Sequence, residues 1–135
     1  MIPTGFDWYL LLGDETALPA IARCLEQLPA GKQAIVLIEV ADASAELDLS
    51  SAATLNLQWL HRQHGDETGL SRLADAVAQL SLPTGEGYAW AAGESAAIQA
   101  VRKQLVGTHG MDKSRIRAAS YWKQGATAVH ETLDD

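Results

Sequence analysis

Two short stretches hold the residue types from which chemistry could be built: Gly13-Asp14-Glu15-Thr16-Ala17-Leu18-Pro19 and Gly93-Glu94-Ser95. In each, a glycine permits a tight turn and the close approach of a ligand. Each runs into an alanine-rich helical segment whose unpaired first amides could hold a pyrophosphate. The same residues also admit a structural reading, in which Thr16 or Asp14 caps the first helix and the acidic side chains complement its dipole. Capping uses only one or two amides, so it does not exclude a ligand. Neither turn is G-x-G-x-x-G, and the first carries two carboxylates where a phosphate would sit.

A third cluster closes the chain, Tyr121-Trp122-Lys123-Gln124-Gly125. Two aromatics beside a cation can stack on a flat ring and steer an anion. Equally, Trp122 can pack the tail onto the body while Lys123 stays in water. Other chemistries find less support. Asp14 and Glu15 are carboxylates, but neighbours at a turn rarely point into one acid–base site. His61, His64, His109 and His130 show no metal-ligand spacing with acidic partners. His61 and His64 follow the third strand, at an edge where a substrate contact or a solvated loop is open. G-x-S-x-G is absent, and Cys24 reads as a small core or boundary residue of the first helix.

These residues need elements to position them. Asp7 to Gly13 is a nearly continuous apolar run, as is Ala34 to Ile38 inside Gln33–Val40; both read as strands covered on two faces. Thr54–Leu60 alternates and reads as a strand nearer an edge. Gly87–Gly93 is a fourth strand and Ile116–Tyr121 a fifth. Between them, Leu18, Ile21, Ala22, Leu25 and Leu28 recur at helical spacing, as do Leu70, Leu73, Ala74, Val77 and Leu80, and then Ile98, Val101 and Leu105. Strands alternating with helices predict an α/β three-layer sandwich around a five-stranded, mostly parallel sheet. In such sheets ligands bind at the carboxyl ends of the strands, near the point where strand order reverses. Both glycine turns belong to that edge.

Length and charge bound the rest. The 135 residues suit one domain spanning 1–135, with no linker or low-complexity segment. A single cysteine excludes an internal disulfide and suits a reducing cytoplasm, and the first residues lack the basic start of a secretory signal. The expected location is cytoplasmic. Net charge is −7. Residues 1–99 carry four basic against thirteen acidic side chains, whereas residues 100–135 carry six against four. An acidic body disfavours nucleic acid and anionic membranes as partners, and the C-terminal third is the better host for an anion. The composition also allows a homodimer.

The motifs taken together resemble the siderophore-interacting protein family, the ferric-siderophore reductases. The residues that carry this are Gly13–Ile21, Trp59-Leu60-His61-Arg62, Gly87–Ser95, Val101–Leu105 and Tyr121–Gly125, in that order over nearly the whole chain. The resemblance implies a fold like the nucleotide-binding half of ferredoxin reductases. It implies NADPH or NADH docking at the carboxyl edge, flanked by Gly13, Asp14, Glu15, Thr16 and Ala17 on one side and by Gly93, Glu94 and Ser95 on the other. Tyr121 and Trp122 would lie toward a flavin, and Lys123 would help hold an anionic ferric siderophore, the electron acceptor. FAD itself would belong to a β-barrel domain or chain, since no Arg-x-Tyr-Thr-like flavin motif occurs here. The chain alone is expected to bind nucleotide weakly and not to turn over. The competing expectation is a non-catalytic binding module that keeps the fold and has lost the nucleotide.

Overall fold

The computed structural model describes residues 3, 5–61, 72–122 and 131–132, the last two by their backbone. Strand β1 (Trp8–Asp14) is buried along its whole length, because a strand lies against each of its edges and helices cover both of its faces. It pairs in parallel with β2 (Gln33–Val40), Trp8 opposite Gln33, and with β4 (Gly87–Glu94), Trp8 opposite Gly87. Strand β3 (Thr54–His61) flanks β2, and β5 (Ile116–Trp122) flanks β4, both parallel. The order is β3-β2-β1-β4-β5-β6. The expected five parallel strands are therefore present. The two-residue β6 (Glu131–Thr132) adds an antiparallel sixth beside β5, which the polar tail did not announce.

Side chains alternate between the two faces as the pleat requires. Tyr9, Leu11, Val36, Ile38, Tyr88 and Trp90 share one core with helix α1 (Leu18–Gln27), which contributes Leu18, Ile21, Cys24 and Leu25. Leu10, Leu12, Ile35, Leu37, Ala89 and Ala91 share the other with α2 (Leu73–Ala78) and α3 (Ser95–Gly107), through Leu73, Val77, Ile98, Val101 and Leu105. Helix, sheet and helices make the three layers. Strand β3 alternates between exposed and half-buried residues, as an edge strand should. Helix α2 is shorter than its apolar periodicity suggested: it ends at Ala78, with Leu80 bonded back to the Val77 carbonyl as a closing turn. Leu70 falls outside the described residues. No helix among the described residues is long and apolar enough to cross a membrane.

Strand order reverses at the β1–β4 pair, since the chain winds outward through β2 and β3 on one side and through β4 and β5 on the other. Gly13 stands at that seam for a steric reason. A Cβ there would lie 2.7 Å from both the Ala17 side chain and the Ala92 carbonyl, so only glycine lets the start of α1 close onto the sheet.

The buried leucines of both cores should dominate stability. Leu105, fully buried, is expected to cost about 2–5 kcal/mol when replaced by alanine. Leu47, 57% exposed, should change stability by no more than about 0.5 kcal/mol. Urea unfolding of Leu105→Ala and Leu47→Ala measures both, and equal effects would contradict the layer assignment.

Candidate functional site

The carboxyl ends of β1, β4 and β5 meet at one side chain. Asp14 closes β1, is 5% exposed, and accepts hydrogen bonds from three segments. Its Oδ1 takes the Thr16 amide at 2.9 Å and the Thr16 hydroxyl. Its Oδ2 takes the Glu94 amide at 3.1 Å and the indole Nε1–H of Trp122 at 3.0 Å. The carboxylate thus caps the 3₁₀ turn Glu15–Ala17 that leads into α1, and it also ties both glycine turns to the end of β5. Between the two capping candidates, Asp14 holds the role and Thr16 is its donor.

Two local features make this convergence fit. Gly93 has φ +156°, and a Cβ on it would stand 2.8 Å from Asp14 Oδ2. A side chain there would displace the carboxylate. Between Gly93 and Glu94 the β4–β5 register slips: Gly93 faces Ser120 while Glu94 faces Trp122, leaving Tyr121 without a register partner on β4. Such a bulge re-aims side chains, and here it carries the Trp122 indole to Asp14. Tyr121 turns to the α1 face, its ring edge-on to Trp90 at 6.4 Å.

The sequence-picked residues therefore gather at one edge but divide by depth. Gly13, Asp14, Ala17, Gly93 and Ser95 are buried beneath it. Glu15, Glu94, Tyr121 and Trp122 are half-buried, and Thr16 is exposed. At the second turn Glu94 Oε1 caps α3 by accepting from the Ala97 amide at 3.0 Å, while Ser95 Oγ accepts from Gln99 Nε2 at 3.2 Å. The amides of Thr16 and Glu94 already serve an anion, the Asp14 carboxylate. Arg62, His64, Lys123, Gln124, Gly125 and His130 lie outside the described residues.

Further along the same edge, two arrangements escaped the sequence reading. Glu39, buried within β2, accepts the Arg72 amide at 2.7 Å through Oε2 and so fixes the entry to α2. Its signal was visible: a lone carboxylate inside an apolar strand. His61, ending β3, pairs through Nε2 with Glu46, both partly buried. Among the described residues no group of three His, Cys, Asp or Glu side chains is placed to hold a metal. Cys24 packs in the α1 core, where burial pushes its thiol pKa up and keeps it a poor nucleophile.

In open parallel α/β sheets the carboxyl edge near the switch point is where ligands ordinarily bind, and the Asp14 cluster sits at that point. The chain belongs to the siderophore-interacting protein family, whose model matches residues 6–125. It is 34% identical over 129 residues to the ferric vibriobactin reductase ViuB of Vibrio cholerae, a match covering 93% of this chain and 47% of that protein. It is 27% identical to the NADPH-dependent ferric-chelate reductase of Escherichia coli, covering 90% of this chain and 46% of the relative. A siderophore utilization protein from T. fusca superposes with a TM-score of 0.83 at 34% identity, over 94% of this chain and 49% of that one. The chain thus spans about half the length of the relatives it matches.

Asp14 should be irreplaceable even by its amide. Both of its oxygens accept, whereas asparagine offers an acceptor on one side and a second donor on the other. Asp14→Asn is expected to cost about 2 kcal/mol by leaving buried donors unpaired. Chemical denaturation reads the loss, and the Trp122 indole proton should shift in NMR spectra. A variant as stable as the parent, with that proton unmoved, would show the hub to be dispensable.

Proposed function

We propose that the chain is the C-terminal, NAD(P)H-binding half of a flavin-dependent ferric-siderophore reductase, working in the cytoplasm with a flavin-binding barrel domain or chain. The observation that carries this is the convergence of Gly13-Asp14, Gly93-Glu94 and Tyr121-Trp122 at the switch point. Membership of a family that includes proteins named ferric reductases supports the same reading.

The residues fit such a nucleotide in part. The Trp122 ring is half-buried and its N–H is fixed by Asp14, so it offers a flat, pre-oriented face for a ring to stack on. Thr16, exposed, and the half-buried Glu15 and Glu94 belong to the same carboxyl edge. The Thr16 and Glu94 amides are engaged with Asp14, so the diphosphate would be held elsewhere. In this reading Lys123, next in sequence after Trp122, would help hold the anionic siderophore. When bound, the nucleotide would supply hydride reducing equivalents, which a flavin held by the other half would make available for one-electron reduction of ferric iron in the siderophore, the substrate. The contribution of this chain is positioning: Asp14 holds Trp122 rigid, and the bulge at Gly93 keeps both aromatics at the edge. Adjacent carboxylates also repel a dianion by something like 1 kcal/mol each at a surface dielectric, so affinity in isolation should be weak.

That same engagement of the turn amides favours a second reading, a non-catalytic module that keeps the fold without the nucleotide. One experiment separates them. Fused to a flavin-loaded barrel domain, the chain should support NADPH- or NADH-dependent reduction of a ferric siderophore, followed by ferrous-chelator absorbance. Trp122→Ala should lower kcat/KM about tenfold. A folded, flavin-replete fusion with no turnover and no nucleotide binding by calorimetry would overturn the reductase reading in favour of the second.

A further inference from the structure

The two outer edges of the sheet are finished differently. Beyond β5, strand β6 pairs antiparallel across Ala119 and Ser120. Beyond β3 no strand lies among the described residues. The Thr54 amide donates to the Lys32 carbonyl at 2.8 Å, so Thr54 and, by alternation along the ladder, Asn56, Gln58 and Leu60 turn their backbone groups to β2. Leu55, Leu57 and Trp59 turn theirs outward, where those N–H and C=O groups have no partner among the described residues. Edge strands are ordinarily guarded by charges, proline, a bulge or short length. Strand β3 has none of these. Residues Thr54 to Leu60 include no Asp, Glu, Lys, Arg or Pro, the register against β2 is unbroken from Thr54 to His61, and the strand is eight residues long.

The occupant that matches this edge is the same edge turned around. A two-fold axis at Leu57 sets Leu57 opposite Leu57 of the partner subunit and Leu55 opposite Trp59 of the partner subunit. Each pair then exchanges both N–H···O=C bonds of an antiparallel ladder, and every outward group of the three residues is satisfied. On one face this register joins the half-buried Leu55, Leu57 and Trp59 into an apolar strip continuous with the α1-side core. On the other, the exposed Asn56 meets Gln58 of the partner subunit, amide to amide. Charge favours the same place, because two chains of net charge −7 meet with least repulsion along a strand that carries none. We infer that two copies of this chain associate through β3, antiparallel and two-fold about Leu57, into one continuous sheet. The seam is a single pair of strands, less than the roughly 1,200 Å² of a standard interface. The dimer therefore forms reversibly, with a Kd on the order of 100 µM.

Sedimentation equilibrium of the 135-residue chain measures the association, and amide hydrogen exchange locates it. Between about 20 µM and about 1 mM chain, exchange of the Leu55, Leu57 and Trp59 amides should slow about fourfold. The Asn56 and Gln58 amides, already bonded to β2, should not change. Two double variants at exposed positions test the register. Asn56→Glu with Gln58→Glu sets like charges opposite each other twice and should raise Kd about tenfold. Asn56→Glu with Gln58→Lys sets opposite charges there and should leave Kd at or below that of the parent. Should either variant fail to fold, the exchange rates of the parent chain still decide. A monomer at about 1 mM, outward amides indifferent to concentration, or a dimer that both variants weaken alike or neither affects overturns the proposal.

Discussion

A buried carboxylate with four donors around it is the constraint on which this edge of the molecule depends. Asp14 sits at the end of the central strand, and a lone charge there would be costly. It is tolerated because both oxygens are satisfied by the Thr16 amide and hydroxyl, the Glu94 amide and the Trp122 indole. Those donors come from three segments that sequence order keeps far apart. Satisfying one acceptor therefore fixes where α1 starts, where β4 ends and where the last turn of β5 points. The glycines follow from it: Gly93 leaves room for the carboxylate, and Gly13 lets the capped turn close against β4.

The same arrangement sets this edge apart from glycine-rich nucleotide turns. In dinucleotide folds built on glycine-rich turns, helix amides are left open and the ligand phosphate completes them. Here an internal carboxylate does so. In the nucleotide-binding reading proposed above, recognition would come from ring stacking and from side chains at this edge rather than from a phosphate seated on the turn. The acidic first turn, read from sequence as an obstacle to a pyrophosphate, is better understood as a replacement for one.

Much of this fold was legible because its signals are local. The apolar runs of β1, β2 and β4, the alternation of β3 and the helical spacing of Ile21-Leu25 and Val101-Leu105 each follow from which faces are covered. The two turns were also legible as companions, since a glycine followed by acidic residues recurs after β1 and β4. The join between them was not. The Asp14–Glu94 and Asp14–Trp122 bonds span 80 and 108 residues, and no neighbour in sequence hints at either. The bulge that delivers Trp122 leaves no mark in the Ser120-Tyr121-Trp122 string. Strand β6, two polar residues long, has too little pattern to detect, and α2 stops early because apolar spacing reports a buried face rather than a helix end.

The two cores bear on why half the length of its relatives can make a complete layer structure. Each face of the sheet is closed by helices of this chain, and β1 is buried over its whole length without help from another domain. A unit with its own core on both faces has what independent folding requires. At the carboxyl edge Thr16, Glu94 and Trp122 remain accessible to solvent at least in part. The fold of the two helical layers and the sheet between them is closed by contacts within the chain itself.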